Sequence, residues 1–276
     1  MKIGSDRHRA LYCQSFIATH QTYEPDDISW PDLPEETVER LRVLPFWGEA
    51  LGTERETGAK ITAYAPTVSD PLLHEAIALQ GAEERRHAGL LEGLMRRYGI
   101  VAAPRLSYPL PTDLEQAFVD AGYGECIDSF FAFGLFEIAR TSGFFPSSLL
   151  SAVEPIVDEE ARHIVFFANW EAHEQLRRGR GIKVRRFARA LRYYVRAVRR
   201  RLGVFRGASG SGFTASGASH LELGTLTAAS FLEICLRENA RRLAPLPPEL
   251  LRPRLMPALA RTALRALQMK PARAPR

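Results

Sequence analysis

The sequence predicts an all-α protein built around four antiparallel-paired helices with acidic residues in their interior. Three observations carry that expectation. Four stretches between residues 45 and 174 repeat apolar residues at alternating steps of three and four, the period of one helix face. Each of those stripes contains a Glu: Glu54, Glu84, Glu137 and Glu160. The string Glu-Glu-x-Arg-His occurs twice, as Glu83-Glu84-Arg85-Arg86-His87 and as Glu159-Glu160-Ala161-Arg162-His163.

The first helix is expected to start near Pro45, a residue tolerated in a first turn, with the stripe Trp47, Leu51, Glu54, Gly58, Ile61 and Ala65. Pro66 to Pro71 marks a turn, with Ser69 or Asp70 as the cap of the next helix. That helix runs to about Tyr98 and places Ile77, Gly81, Glu84, Ala88 and Leu91 on one face, with His87 beside them. Gly99 to Pro111 provides a long connection. A third helix lies within Thr112–Thr141, with Ile127, Phe130, Gly134, Glu137 and Thr141 in register. Gly143 and Pro146 break the chain before a fourth, carrying Val153, Ile156, Glu160, His163, Phe167 and Trp170.

The flanks read differently. Residues 1–41 form an N-terminal extension with scattered prolines and no helical period, ahead of the four-helix unit at 42–175. Residues 176–206 form a basic amphipathic helix whose apolar stripe is Val184, Phe187, Leu191, Tyr194, Val198 and Leu202. Of the 37 Lys and Arg, 13 fall between Arg177 and Arg206 with no Asp or Glu among them, so the rest of the chain is net acidic despite an overall charge of +5. Residues 207–219 form a Gly/Ser-rich linker, and 220–276 a helical appendage with helices near Leu226–Leu243 and Pro253–Leu267.

Composition narrows the classes. The three cysteines are scattered and show no Cys-x-x-Cys spacing, which fits a reducing compartment and argues against a disulfide framework. No apolar run reaches the roughly 20 residues of a bilayer span, and Met1–His20 has no apolar signal-peptide core. A cytoplasmic protein is expected.

Carboxylate and imidazole three residues apart share a helix face and can hold one ion. Four carboxylates in one core are tolerable only if cations neutralise them, and two divalent ions would do so. The imidazoles favour transition metals over calcium or magnesium.

On these residues the chain resembles the ferritin-like di-iron carboxylate superfamily, over about Pro45 to Glu174. The resemblance implies a four-helix bundle in which successive helices give Glu, Glu-x-x-His, Glu and Glu-x-x-His. Carried over, the metal ligands are Glu54, Glu84 with His87, Glu137, and Glu160 with His163, holding two iron or manganese ions. Glu84 and Glu160 would bridge them. Glu83 and Glu159 stand where family members place an acid that orients the opposite helix's histidine, so Glu83 is matched with His163 and Glu159 with His87. Glu54 is preferred to Glu49 and Glu56 because it lies in the stripe and level with Glu84. On the third helix Glu137 is preferred to Glu125 for its buried-type neighbours Phe133, Phe136 and Ile138, although both are displaced from the level of Glu160.

The resemblance leaves several functions open. The expectation is a non-haem di-iron oxidoreductase that uses dioxygen to hydroxylate, N-oxygenate or desaturate a small or carrier-tethered organic substrate. The alternatives are a metal-binding scaffold, a peroxidase, or a binding protein acting through the Arg-rich helix. Thr141, one turn after Glu137, matches a Thr of bacterial multicomponent monooxygenases and is the candidate catalytic residue. A substrate pocket is expected beside Gly134 and Thr141. No flavin or iron–sulfur motif is present, so an external electron donor is implied. Residues 177–206 would meet an acidic protein, RNA or an anionic membrane surface, and a homodimer is a further possible assembly.

Overall fold

The computed structural model describes residues 1–101, 110–179, 187–196 and 226–269. Among these residues the chain is helical and has no strand. Its helices are α1 (Asp6–Ala18), α2 (Glu35–Arg42), α3 (Trp47–Tyr64), α4 (Pro71–Tyr98), α5 (Leu114–Thr141) and α6 (Ser147–Arg177). They are followed by α7 (187–196), α8 (Ala228–Leu243) and α9 (Leu255–Gln268).

Local chemistry sets the ends of the long helices. Asp70 caps α4 by accepting from the Leu73 amide, with Pro71 in the first turn. The helix stops at Gly99, whose φ of 64° is left-handed. Asp113 caps α5 through the Gln116 amide. Helix α3 packs on α4, α5 on α6, α3 on α5 and α4 on α6, so the four enclose a common interior. Tyr64, Phe118, Phe130, Phe133, Phe167 and Trp170 lie within that core, and a second cluster forms around Leu41, Trp47 and Leu94.

The stretch expected to be irregular before residue 42 is instead partly helical. Ser5 caps α1 through the His8 amide, and α1 lies against both α4 and α6. Tyr12, Cys13 and Phe16 are buried there. Flanking charges hide this short apolar face from a periodicity reading. Helix α7 also differs in orientation from the expected stripe. Tyr193 and Tyr194 are buried, whereas Phe187 and Leu191 are exposed. The remaining members of that stripe, the 207–219 linker and most of the 99–111 connection lie outside the described residues.

In the appendage, Thr227 and Ser230 form a capping box on α8. This helix packs on α5 and on α9. Gly134 makes the first contact possible, since a Cβ there would lie 2.3 Å from Cys235 Sγ. Arg252 donates to the carbonyls of Leu243, Leu246, Pro247 and Leu250 and so closes the α8–α9 turn. The three cysteines are free and buried.

Gly122 has the tightest requirement. A Cβ would meet the Phe167 ring at 2.2 Å, and Phe167 is fixed among Phe118, Tyr123 and Trp170. Ala is worth about 1 kcal/mol over Gly in a helix interior, but overpacking a filled core costs about 1–3 kcal/mol. Gly122→Ala should therefore destabilise the protein, read as a lower denaturation midpoint in urea; an unchanged or higher midpoint would contradict this packing.

Candidate metal centre

The interior of α3–α6 brings carboxylates and imidazoles together in two overlapping groups. Glu54, Glu84, His87 and Glu160 form one, and Glu84, Glu125 and His163 the other. Within each group the nearest ligand atoms lie within 4.8 Å of one another. Glu84 belongs to both. Glu160 Oε1 stands 3.6 Å from Nδ1 of each histidine, midway between them. His87 Nδ1 is 3.3 Å from Glu54 Oε2. The two groups overlap at Glu84, and Glu160 Oε1 is equally distant from both imidazoles, so buried carboxylates and histidines here could hold a metal ion.

Unpaired polar atoms test whether a cation belongs there. Glu84 Oε1, Glu125 Oε1 and His163 Nδ1 are buried without a hydrogen-bond partner. Glu84 Oε1 and His163 Nδ1 approach to 2.9 Å as an ion pair without hydrogen-bond geometry. Leaving such groups orphaned costs about 1–3 kcal/mol each, more when charged. A divalent cation bound by their lone pairs removes that cost. The donor set of carboxylates with two imidazoles fits a transition metal.

The second nitrogen of each ring fixes its orientation. His87 Nε2 meets Glu159 Oε2 at 2.9 Å, and His163 Nε2 meets Glu83 Oε2 at 2.8 Å. The crossed contacts expected from sequence are thus made, each ring reaching an acid on the opposite helix. These acids are completely buried and need cations of their own. Arg86 donates to Glu159 at 2.5 Å, and Arg162 to Glu83 at 3.0 Å. The Arg of each repeated string therefore also crosses to the partner helix. From the N-terminal segment, His20 Nδ1 lies 2.6 Å from Glu83 Oε1, and Tyr23 donates to Glu159 Oε2 at 3.1 Å.

These surroundings divide the acids electrostatically. Burial opposes ionisation of Glu83, but hydrogen bonding with His163 and the charge of Arg162 outweigh it and hold this carboxyl down at about 2. Burial, joined by repulsion from Glu160 and Glu54, pushes Glu84 up to about 8. The same causes, burial first and then Glu84 and Glu160, raise Glu125 well above the carboxylate range. Burial resists charge on His87 and His163, but the surrounding carboxylates raise both well above 6.5.

Glu137 is not part of this group, which corrects the preferred third-helix ligand. It accepts from Arg140 Nε at 2.7 Å and Nη2 at 2.8 Å, with Arg237 at 3.7 Å. Hydrogen bonding from Arg140 lowers its pKa. The reason is level along the helix pair. Glu125 lies sixteen residues before the end of α5 and Glu160 thirteen after the start of α6, whereas Glu137 lies only four before that end. At 1.5 Å per residue Glu137 misses the level by roughly 13 Å and Glu125 by about 5 Å.

Thr141 moves away with it. Its hydroxyl donates to the Glu137 carbonyl at 2.8 Å, closing the helix end rather than facing the carboxylates. The hydroxyl one turn after Glu125 is Ser129, which donates to Glu160 Oε2 at 2.9 Å. Gln80 donates to Glu125 Oε2 at 3.3 Å. Arg86 and Arg162 were also missed, although the repetition of Arg in both strings could have found them; no spacing pointed to Gln80, Ser129, His20 or Tyr23.

The space expected beside Gly134 is filled by Cys235. A cavity of about 500 Å³ opens elsewhere, lined by Tyr123, Cys126 and Phe167 together with Tyr194 of α7 and Leu255 of α9. Cys126 follows Glu125 in sequence, and Phe167 is one turn beyond His163. Comparison of the chain with family models, with curated proteins and with solved structures gives no match.

Proposed function

We propose that this chain is a ferritin-like di-metal oxidase, with α3–α6 as its bundle, that oxidises an apolar organic substrate with dioxygen. The observation that carries the reading is the pair of Glu/His groups that overlap at Glu84, with Glu160 Oε1 3.6 Å from both histidines. The fold analogy is weaker support, because fold and ligand set are shared by proteins of several activities. Iron is the proposed metal, with manganese the alternative the donor set admits.

When bound, two such ions would supply the redox chemistry that no side chain offers. The protein's part is to hold and to insulate. Glu54, Glu84, Glu125 and Glu160 are the carboxylates that would hold the ions, and His87 and His163 would be the nitrogen donors. Glu159 and Glu83 lock the two rings with their Nδ1 atoms inward. Arg86 donates to Glu159 and Arg162 to Glu83, holding each outer acid against its ring. Ser129 restrains one oxygen of Glu160, and Gln80 one of Glu125. The cavity at Tyr123 and Phe167 is the proposed substrate chamber, walled mainly by apolar side chains. Electrons would come from a separate donor.

Metal analysis after expression with iron, followed by mixing the chemically reduced protein with oxygen, tests the proposal. Two iron atoms per chain and an optical change on mixing are expected. Two metal atoms without any response to oxygen would favour a scaffold, and a metal-free protein would end the reading.

A further inference from the structure

A second surface stands apart from the metal centre. Helix α7 exposes Phe187 to 59%, and Leu191 and Val195 to 42% each. Steps of four put these three on one face over its ten described residues. The opposite face is anchored: Tyr193 and Tyr194 are buried, Tyr193 donates to Gln116, Arg189 pairs with Glu171 and Arg196 with Asp120. These contacts hold the exposed row outward. Arg192 is exposed beside it.

Helix α9 adds to the same side of the molecule. Both helices line the 500 Å³ cavity, α7 through Phe187, Ala190 and Tyr194, and α9 through Leu255 and Ala258. Next to Ala258, Leu259 is 50% exposed, and Met269, just past the helix end, is 82% exposed. Arg254, Arg261 and Arg265 are exposed on or beside α9. No Asp or Glu follows Glu249, just as none lies between Arg177 and Arg206. Two acid-free helices thus frame one opening with arginines and projecting apolar side chains.

We propose that the α7–α9 face docks on an anionic lipid surface. Nucleic acid or an acidic protein would answer the arginines, but a polyanion gains nothing from Phe187, Leu191, Val195, Leu259 and Met269. A bilayer interface takes both: guanidinium groups meet phosphates while apolar side chains enter the boundary region. No helix among the described residues is long and apolar enough to cross a membrane, so the contact is peripheral. The inference is independent of the metal reading and would stand for a chain that bound no metal.

Co-sedimentation of the full chain with phosphatidylcholine vesicles, with and without phosphatidylglycerol, is the test. The chain should pellet with the anionic vesicles and much less with the neutral ones. Phe187→Ser combined with Leu191→Ser should weaken that binding by about tenfold or more at fixed salt. Arg192→Gln should weaken it by about fivefold, given the field at an anionic surface. Circular dichroism checks the fold of each variant, and the lipid dependence of the unaltered chain is a readout that needs no substitution. Absence of binding to anionic vesicles would overturn the proposal. So would binding to RNA or an acidic protein that outcompetes vesicles and is unaffected by the serine pair.

Discussion

Glu125→Ala should abolish high-affinity binding at one of the two ion positions, whereas Glu137→Ala should leave both filled. Glu125 is one of only three side chains in its group, with Glu84 and His163, and Glu84 is shared with the other position. Its loss leaves the site of His163 short of an anionic donor. Even an outer-shell substitution commonly costs about 10–100-fold in metal affinity, so removal of a ligand should exceed that. Glu137 spends both oxygens on Arg140, which is itself half exposed. Glu137 is buried, but the Arg140 left behind is half exposed and can return to water, so the effect should be confined to stability, on the order of 1 kcal/mol. Elemental analysis with calorimetric titration separates the two variants. Equal metal content in both, or loss only in Glu137→Ala, would reinstate the ligand preferred from sequence.

That contrast also shows where sequence reading succeeds here. The Glu-Glu-x-Arg-His repeat places Glu84, His87, Glu160 and His163 together, because residues three apart share a helix face whatever the helix packs against. The crossed pairing of Glu83 with His163 and of Glu159 with His87 was an implication of the family resemblance, not of the spacing itself. Choosing between Glu125 and Glu137 required the relative level of α5 and α6, which is a property of two helices together. Helix α5 runs unbroken through Gly122 and Gly124, and Gly122 makes room for the Phe167 ring. Helix α1 was hidden for another reason. Its value to the fold lies in Arg162 donating to the Phe16 carbonyl and to Thr19, and in His20 reaching Glu83. Such long-range contacts leave no periodic trace. The apolar stripe of α7 was visible, but which side faced the protein depended on Tyr193 meeting Gln116 and Arg189 meeting Glu171.

Metal uptake by this centre should release protons, and both affinity and the accompanying stabilisation should rise with pH. The folded-state value of Glu84 is raised from 4.5 to about 8, so metal-free protein retains a proton there that the unfolded chain gives up. Stability contributed by that difference is present below about 4.5 and lost as pH climbs toward 8. The raised values of Glu125, His87 and His163 act in the same direction. Each histidine contributes fully below 6.5, and its share is lost as pH passes its folded-state value. Glu83, held down at about 2, works oppositely: its contribution is present above 4.5 and lost only as pH falls toward 2. Ions bind the deprotonated ligands. At pH 7 they must displace the proton of Glu84 together with those retained by its neighbours, on the order of two or more per chain. In weakly buffered solution, adding ferrous or manganous ion should therefore acidify the sample. The rise in melting temperature on loading should be larger at pH 8 than at pH 6, because the metal-free protein is weaker there and protons compete less. Uptake without proton release, with the same thermal shift at both pH values, would mean that metal binds elsewhere and that the buried carboxylates of α3–α6 are held together by protons alone.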